Sequence, residues 1–114
     1  MFSYKPTTNE IHLTRGDTLT LEFHFEGDVP VGDDQLFFTV KKDPHSTSYI
    51  LEKPAVMISE DTARISLAVE DTTHLPFGKY WWDIRIFYAD GEVVTPLSPA
   101  LFFIEEVVGN DRKL

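Results

Sequence analysis

The sequence predicts an all-β domain, an antiparallel sandwich of about seven or eight strands. Three observations point to it. Apolar and polar residues alternate in one segment after another, as strands with a single buried face require. β-Branched and aromatic residues crowd those segments, with nine Phe among 114 residues. Turn-forming residues separate the segments at short, regular intervals.

Residues 1–9 read as a polar N-terminal tail carrying Pro6, 10–108 as one domain, and 109–114 as a charged C-terminal tail. Along 18–25 every odd position is apolar, so a strand places Leu19, Leu21, Phe23 and Phe25 on one face. Gly27 and Asp28 end it, and 29–34, with Pro30 and Gly32, is a turn or loop. Residues 36–41 repeat the pattern with Leu36, Phe38 and Val40 together, and Asp43-Pro44-His45-Ser46 breaks it. A short strand over 49–52 is stopped by Pro54. Over 63–69, Ile65, Leu67 and Val69 point inward, and Arg64, Ser66 and Glu70 outward. One turn of helix over 70–75, capped by Asp71, crosses between the sheets and ends at Pro76-Phe77-Gly78. The longest strand, 79–88, sets Tyr80, Trp82, Ile84, Ile86 and Tyr88 against Lys79, Trp81, Asp83, Arg85 and Phe87. Asp90-Gly91 predicts a hairpin through a type I′ turn. The return segment 92–97 is an edge or irregular strand, because Pro96 and Pro99 donate nothing to a ladder. Residues 101–108 close the domain.

Composition narrows the function. Ten Lys and Arg against nineteen Asp and Glu give a net charge of -9. Such a chain is repelled by nucleic-acid backbones and anionic membranes, so neither is an expected partner. With no cysteine, disulfides, thiol catalysis and Cys-ligated zinc are excluded. No apolar run is long enough to span a bilayer, and residues 1–8 lack the apolar core of a signal peptide.

The run Asp71-Thr72-Thr73-His74-Leu75-Pro76-Phe77-Gly78-Lys79-Tyr80-Trp81-Trp82-Asp83-Ile84, together with Leu13-Thr14-Arg15-Gly16-Asp17-Thr18 and Tyr88-Ala89-Asp90-Gly91, resembles small structural proteins of tailed bacteriophages and prophages. It is similar in particular to the N-terminal domain of phage baseplate upper proteins. The resemblance covers residues 11–108 and rests on structural motifs. It implies an immunoglobulin-like sandwich used in virion or tail assembly, made in the host cytoplasm and then carried in the virion. Those baseplate proteins continue into a long C-terminal region, whereas this sequence stops at Leu114.

No catalytic or cofactor motif is present: there is no nucleophile elbow, no Gly-rich phosphate loop and no paired-His metal spacing. Catalysis, cofactors and metals are therefore not expected, and no small-molecule ligand is indicated. Arg15-Gly16-Asp17 is the integrin tripeptide by letter, but a turn that uses Gly16 at positive φ explains it. His12 and His24 are expected on outward positions of paired strands, and His45 and His74 on the surface. The acidic residues Asp28, Asp33, Asp34, Glu60, Asp61, Glu70 and Asp71 are expected in solvated loops without calcium.

The informative residues are the outward aromatics. Each sheet of a sandwich has one buried side, so Trp81, Phe87 and Phe37 lie beneath a loop such as 43–48, in an interface, or on the inner side if the register is inverted. Aromatics and Arg dominate interface hot spots. Trp81, Phe87, Phe37 and Arg85 are therefore the candidate docking residues, for other virion proteins or for further copies of the chain. An alternative is carbohydrate binding, with Trp81 stacking on a sugar and Asp83 and Arg85 hydrogen-bonding to it.

Overall fold

The structure is a computed structural model that describes residues 2–5, 8–25, 30, 32–95 and 99–106. The described elements are β1 (Phe2–Lys5), β2 (Glu10–Thr14), β3 (Leu19–His24), β4 (Gln35–Lys41), β5 (Leu51–Pro54), β6 (Val56–Met57), β7 (Thr62–Leu67), α1 (Val69–Thr72), β8 (Gly78–Phe87), β9 (Val93–Val94) and β10 (Ala100–Glu105). They form two sheets. The larger runs β1-β2-β10-β8-β4-β5, with β9 added to the end of β8, and the smaller runs β3-β7-β6. Every pair is antiparallel except β2 with β10.

This is an immunoglobulin-like sandwich. In that plan strands B, E and D make one sheet and C, F and G the other. Here β3, β7 and β6 take the first set of places, and β4, β8 and β10 the second. The α1 turn carries the chain from the small sheet to the large one. At that corner the Tyr80 hydroxyl donates to the Pro76 carbonyl at 2.6 Å, the "tyrosine corner" of the fold.

The core lies between the sheets. Leu36, Phe38 and Val40 of β4 and Tyr80, Trp82, Ile84 and Ile86 of β8 face Ala63, Ile65 and Leu67 of β7, all buried. The Phe38 and Trp82 rings lie 5.3 Å apart, and Phe38 and Phe102 meet edge-on at 6.2 Å. The Trp82 indole N–H donates to the Asn9 carbonyl at 2.9 Å. That bond satisfies the one polar atom of the largest buried side chain.

Several local expectations are corrected. Phe2–Lys5, read as tail, forms β1 and pairs with β2. Pro54 stops β5 as expected, being its last residue, opposite Phe37; β5 is an edge strand, where a missing N–H costs no ladder bond. Val69 is 47% exposed because the chain has already turned into α1. Asp71 caps that turn from its third position, its carboxylate accepting the Ala68 N–H at 2.7 Å. The hairpin after β8 is not type I′: Gly91 has φ 99 and Asp90 does not share the positive φ. Gly91 N–H donates to the Tyr88 carbonyl at 2.9 Å, and Tyr88 N–H to Glu92 at 2.8 Å. A three-residue loop closed by a left-handed Gly has this pattern. Of the return segment, the described part pairs only over β9. The C-terminal tail 109–114 and Asp28 lie outside the described residues.

Candidate functional site

The site candidates share the outer face of the large sheet. Alternation on β4 and β8 puts Trp82, Ile84, Phe38 and Val40 inward, which turns their neighbours out. Register then sets Phe37 against Arg85, Thr39 against Asp83, Lys41 against Trp81 and Gln35 against Phe87. Phe37 and Phe87 meet edge to face with centroids 5.6 Å apart, the favoured geometry of an aromatic pair. Trp81 sits between Lys41 of β4 and Leu101 of β10. Phe37, Trp81, Arg85 and Phe87 are all half-buried. The structure therefore gathers the four candidates on one face of two adjacent strands.

Part of that face is covered. The segment between β4 and β5 brings Tyr49 over it. The Tyr49 hydroxyl accepts from Arg85 Nη1 at 3.1 Å, and its ring lies 5.4 Å from the Arg85 guanidinium and 5.9 Å from Lys41 Nζ. Beneath, Thr39, Asp83 and Lys41 are 0%, 4% and 7% exposed. The Thr39 hydroxyl donates to the Asp83 carboxylate. Arg85 Nε lies 3.9 Å from that carboxylate, too far to bond it. This Nε is buried with no hydrogen-bond partner among the described residues. The face is thus a buried polar row flanked by half-exposed aromatic rings. Asp83, a candidate for bonding a sugar, is already enclosed and engaged.

The sequence reading missed Tyr49, Thr39 and Lys41. Tyr49 lies before β5, which begins two residues later, and not in the strand expected over 49–52. No periodic signal marks a loop residue that folds back over a sheet.

The other candidates disperse. His12 and His24 are not on paired strands, since β2 belongs to the large sheet and β3 to the small one. His12 stacks on Phe103 at 4.6 Å and its Nδ1 lies 2.6 Å from Glu105, while His24 lies 3.5 Å from Asp61. The hydrogen bond from the Thr62 hydroxyl, aided by the Ser59 hydroxyl and nearby His24, holds the Asp61 carboxyl below its usual range against the opposing effect of desolvation.

Arg15-Gly16-Asp17 is a turn, with Gly16 at φ 88 and Asp17 N–H bonded to the Thr14 carbonyl at 3.0 Å. The turn is tied to the α1 corner. Arg15 donates to the Leu75 carbonyl at 3.2 Å, its guanidinium lies 4.1 Å from the Phe77 ring, and Gly16 N–H donates to Thr72 Oγ1 at 3.3 Å. Burial pushes the Tyr80 phenol up, with Arg15 opposing. Among the described residues, no cluster of His, Asp and Glu could hold a metal ion.

Residues 5–98 match a family model described as an LtfC-like, beta-sandwich domain. No curated protein matches the chain. Among solved structures, it is similar to a crystal structure from Bacteroides vulgatus ATCC 8482, provisionally described as a glycoside hydrolase. That likeness has a TM-score of 0.52 and 12% identity over 88% of this chain. The chain spans 17% of that protein's length, and at this identity the likeness shows the fold alone.

Proposed function

The chain belongs to the LtfC-like β-sandwich domain family, and on that premise we propose that it is a phage or prophage structural protein, an assembly module of the virion tail or baseplate. The observation that carries the docking role is the outer face of the large sheet, where Phe37, Trp81 and Phe87 remain half-exposed beside Arg85. Burying the part of each ring that is still exposed supplies a fraction of the roughly 1.5–3 kcal/mol that full burial of a large apolar side chain is worth. The acidic remainder of the surface limits unwanted association. The virion assignment is supported by the resemblance of the corner, turn and hairpin motifs to baseplate upper proteins. In this reading the chain is not an enzyme. It gathers in the host cytoplasm and ends in the particle, joined to other virion proteins or to copies of itself.

The test is co-expression with the products of neighbouring genes, followed by capture of wild type and of Trp81→Ser. A tail protein captured by wild type and lost with Trp81→Ser, at unchanged melting temperature, supports the proposal. Equal capture by both removes the docking face. Specific binding of the monomer to a glycan array would replace the assembly role with the carbohydrate reading.

A further inference from the structure

The small sheet ends at β3, which pairs with β7 on one side only. In the immunoglobulin plan strand A lies against strand B at that place. Here the first two strands pair with each other and with β10 in the large sheet instead, so the place beside β3 is open among the described residues. Proteins blunt such edges with short strands, Pro and Lys. The other sheet ends show these devices: β1 has four residues and closes on Lys5, β5 has four with Lys53 and Pro54, and β6 has two. β3 has six, Leu19-Thr20-Leu21-Glu22-Phe23-His24, with no Pro, Gly or Lys.

The main chain of this edge has unspent groups. Phe25 N–H donates to the Asp61 carbonyl at 2.7 Å, and the same register sets Phe23 against Ala63 and Leu21 against Ile65. Bonded and non-bonded pairs alternate along an antiparallel ladder. The odd residues therefore spend their N–H and C=O on β7, and Thr20, Glu22 and His24 turn theirs to the open side. All three are exposed. The core is also unsealed there. Leu21 and Phe23 face inward, Phe23 onto Trp82, yet both are only half-buried.

We propose that β3 pairs antiparallel with β3 of a second copy across a two-fold axis, merging the two small sheets into one. The strand is self-complementary for this. Its alternation reads alike in both directions, so the axis sets apolar residues opposite apolar ones on the core side. Charge selects the register. An axis through Glu22 would set that carboxylate against its own copy, which destabilises a sheet. An axis through Leu21 sets Glu22 against Thr20 and gains no charge pair. An axis through Phe23 sets Glu22 opposite the partner's His24 on both sides, Phe23 opposite the partner's Phe23, and Leu21 opposite the partner's Phe25. Arg64 takes Oε2 of Glu22, and Asp61 faces Nδ1 of His24 at 3.5 Å. Oε1 and Nε2 are left to meet across the axis. Such a contact is isologous and closes at two chains. It rests on the assembly reading, names a second copy as one partner, and lies on the opposite sheet from Trp81.

Sedimentation of the purified chain across rising concentration tests the pairing. Wild type should reach twice the monomer mass of 13.1 kDa. His24→Pro deletes an N–H that points away from β7, which an edge strand tolerates, so it should keep the wild-type circular dichroism and stay monomeric. Disulfide trapping tests the register without proline, in a chain that has no cysteine of its own. Opposed bonded residues lie about 5.5 Å apart between Cα atoms, within disulfide reach. Like positions are diagonal, roughly 7–8 Å apart. An oxidised equal mixture of Glu22→Cys and His24→Cys should therefore give a linked dimer of one chain of each, and either variant alone should stay mostly unlinked. A wild type that stays monomeric overturns the proposal, as does a mixture that links no better than the single variants. A monomer whose Thr20, Glu22 and His24 amides gain exchange protection only with a captured protein would assign the edge to that protein's strand instead. Each of these failures leaves the Trp81 face standing, because Trp81→Ser reads it on the other sheet.

Discussion

Phe23 and Trp82 meet across the two sheets, with ring centroids 5.6 Å apart and planes inclined at 41°. Phe23 is on β3, in the place of strand B, and Trp82 is on β8, in the place of strand F. Antibody domains join those strands by a disulfide whose second cysteine follows the corner tyrosine by two residues. Trp82 follows Tyr80 by two. A chain with no cysteine therefore bridges its sheets at that point with aromatic contact instead of a covalent bond.

Trp82→Ala should accordingly be the most damaging single truncation. Loss of the buried ring and the cavity it leaves cost about 3–5 kcal/mol, against a total stability on the order of 5–15 kcal/mol. Urea unfolding followed by far-ultraviolet circular dichroism measures it. A loss below about 1 kcal/mol would show that the aromatic bridge does not hold the sheets together.

Tyr80→Phe removes the hydroxyl bond to Pro76 and should cost about 1 kcal/mol near neutral pH. It should also change the alkaline limb. The folded phenol is pushed above its ordinary value of 10.0 by burial. Its contribution is fully present below that value and is lost as pH rises through the folded value. Stability of the wild type should fall over that window, and the Tyr80→Phe profile should be flatter. Parallel profiles would contradict the assignment.

Asp61 acts at the acid end. Its folded carboxyl lies below its ordinary value of 3.8, so its contribution is present above that value and disappears as pH falls through the folded one. Asp61→Asn should leave melting at neutral pH lower by a small amount and shrink the wild-type drop in that acid window. Profiles that remain separated by a constant amount down to full protonation would refute it.

Arg15→Ala should lower stability by roughly 1–2 kcal/mol, through the lost bond to Leu75 and the lost contact with Phe77. The tripeptide should support no integrin-dependent cell adhesion, because its Arg is spent on the α1 corner. Adhesion blocked by a soluble Arg-Gly-Asp peptide would reverse that view.

The sandwich was legible in the sequence because its core strands are regular. The alternation in 18–25, 36–41 and 79–88 assigned the inward set, including the division between Trp82 and Trp81, since a period of two leaves no third choice. Features that depend on tertiary partners were not legible. β1 forms because β2 offers a free edge. Pro54 is tolerated because β5 is itself an edge. The turn at Asp90-Gly91 takes its type from loop length as well as from the dipeptide. Tyr49 reaches Arg85 from 36 positions away, a contact no local pattern encodes, and it encloses much of the face that alternation alone would have left open.

In the proposed assembly role, Trp81 and its neighbours dock a partner while Trp82 holds the core. Oxidative footprinting read by mass spectrometry tests it most directly, on the chain alone and in complex with its captured partner. Phe37, Trp81 and Phe87 should be modified in the free chain and shielded in the complex, and Trp82 should resist modification in both. Equal modification of Trp81 in the two states would contradict the account.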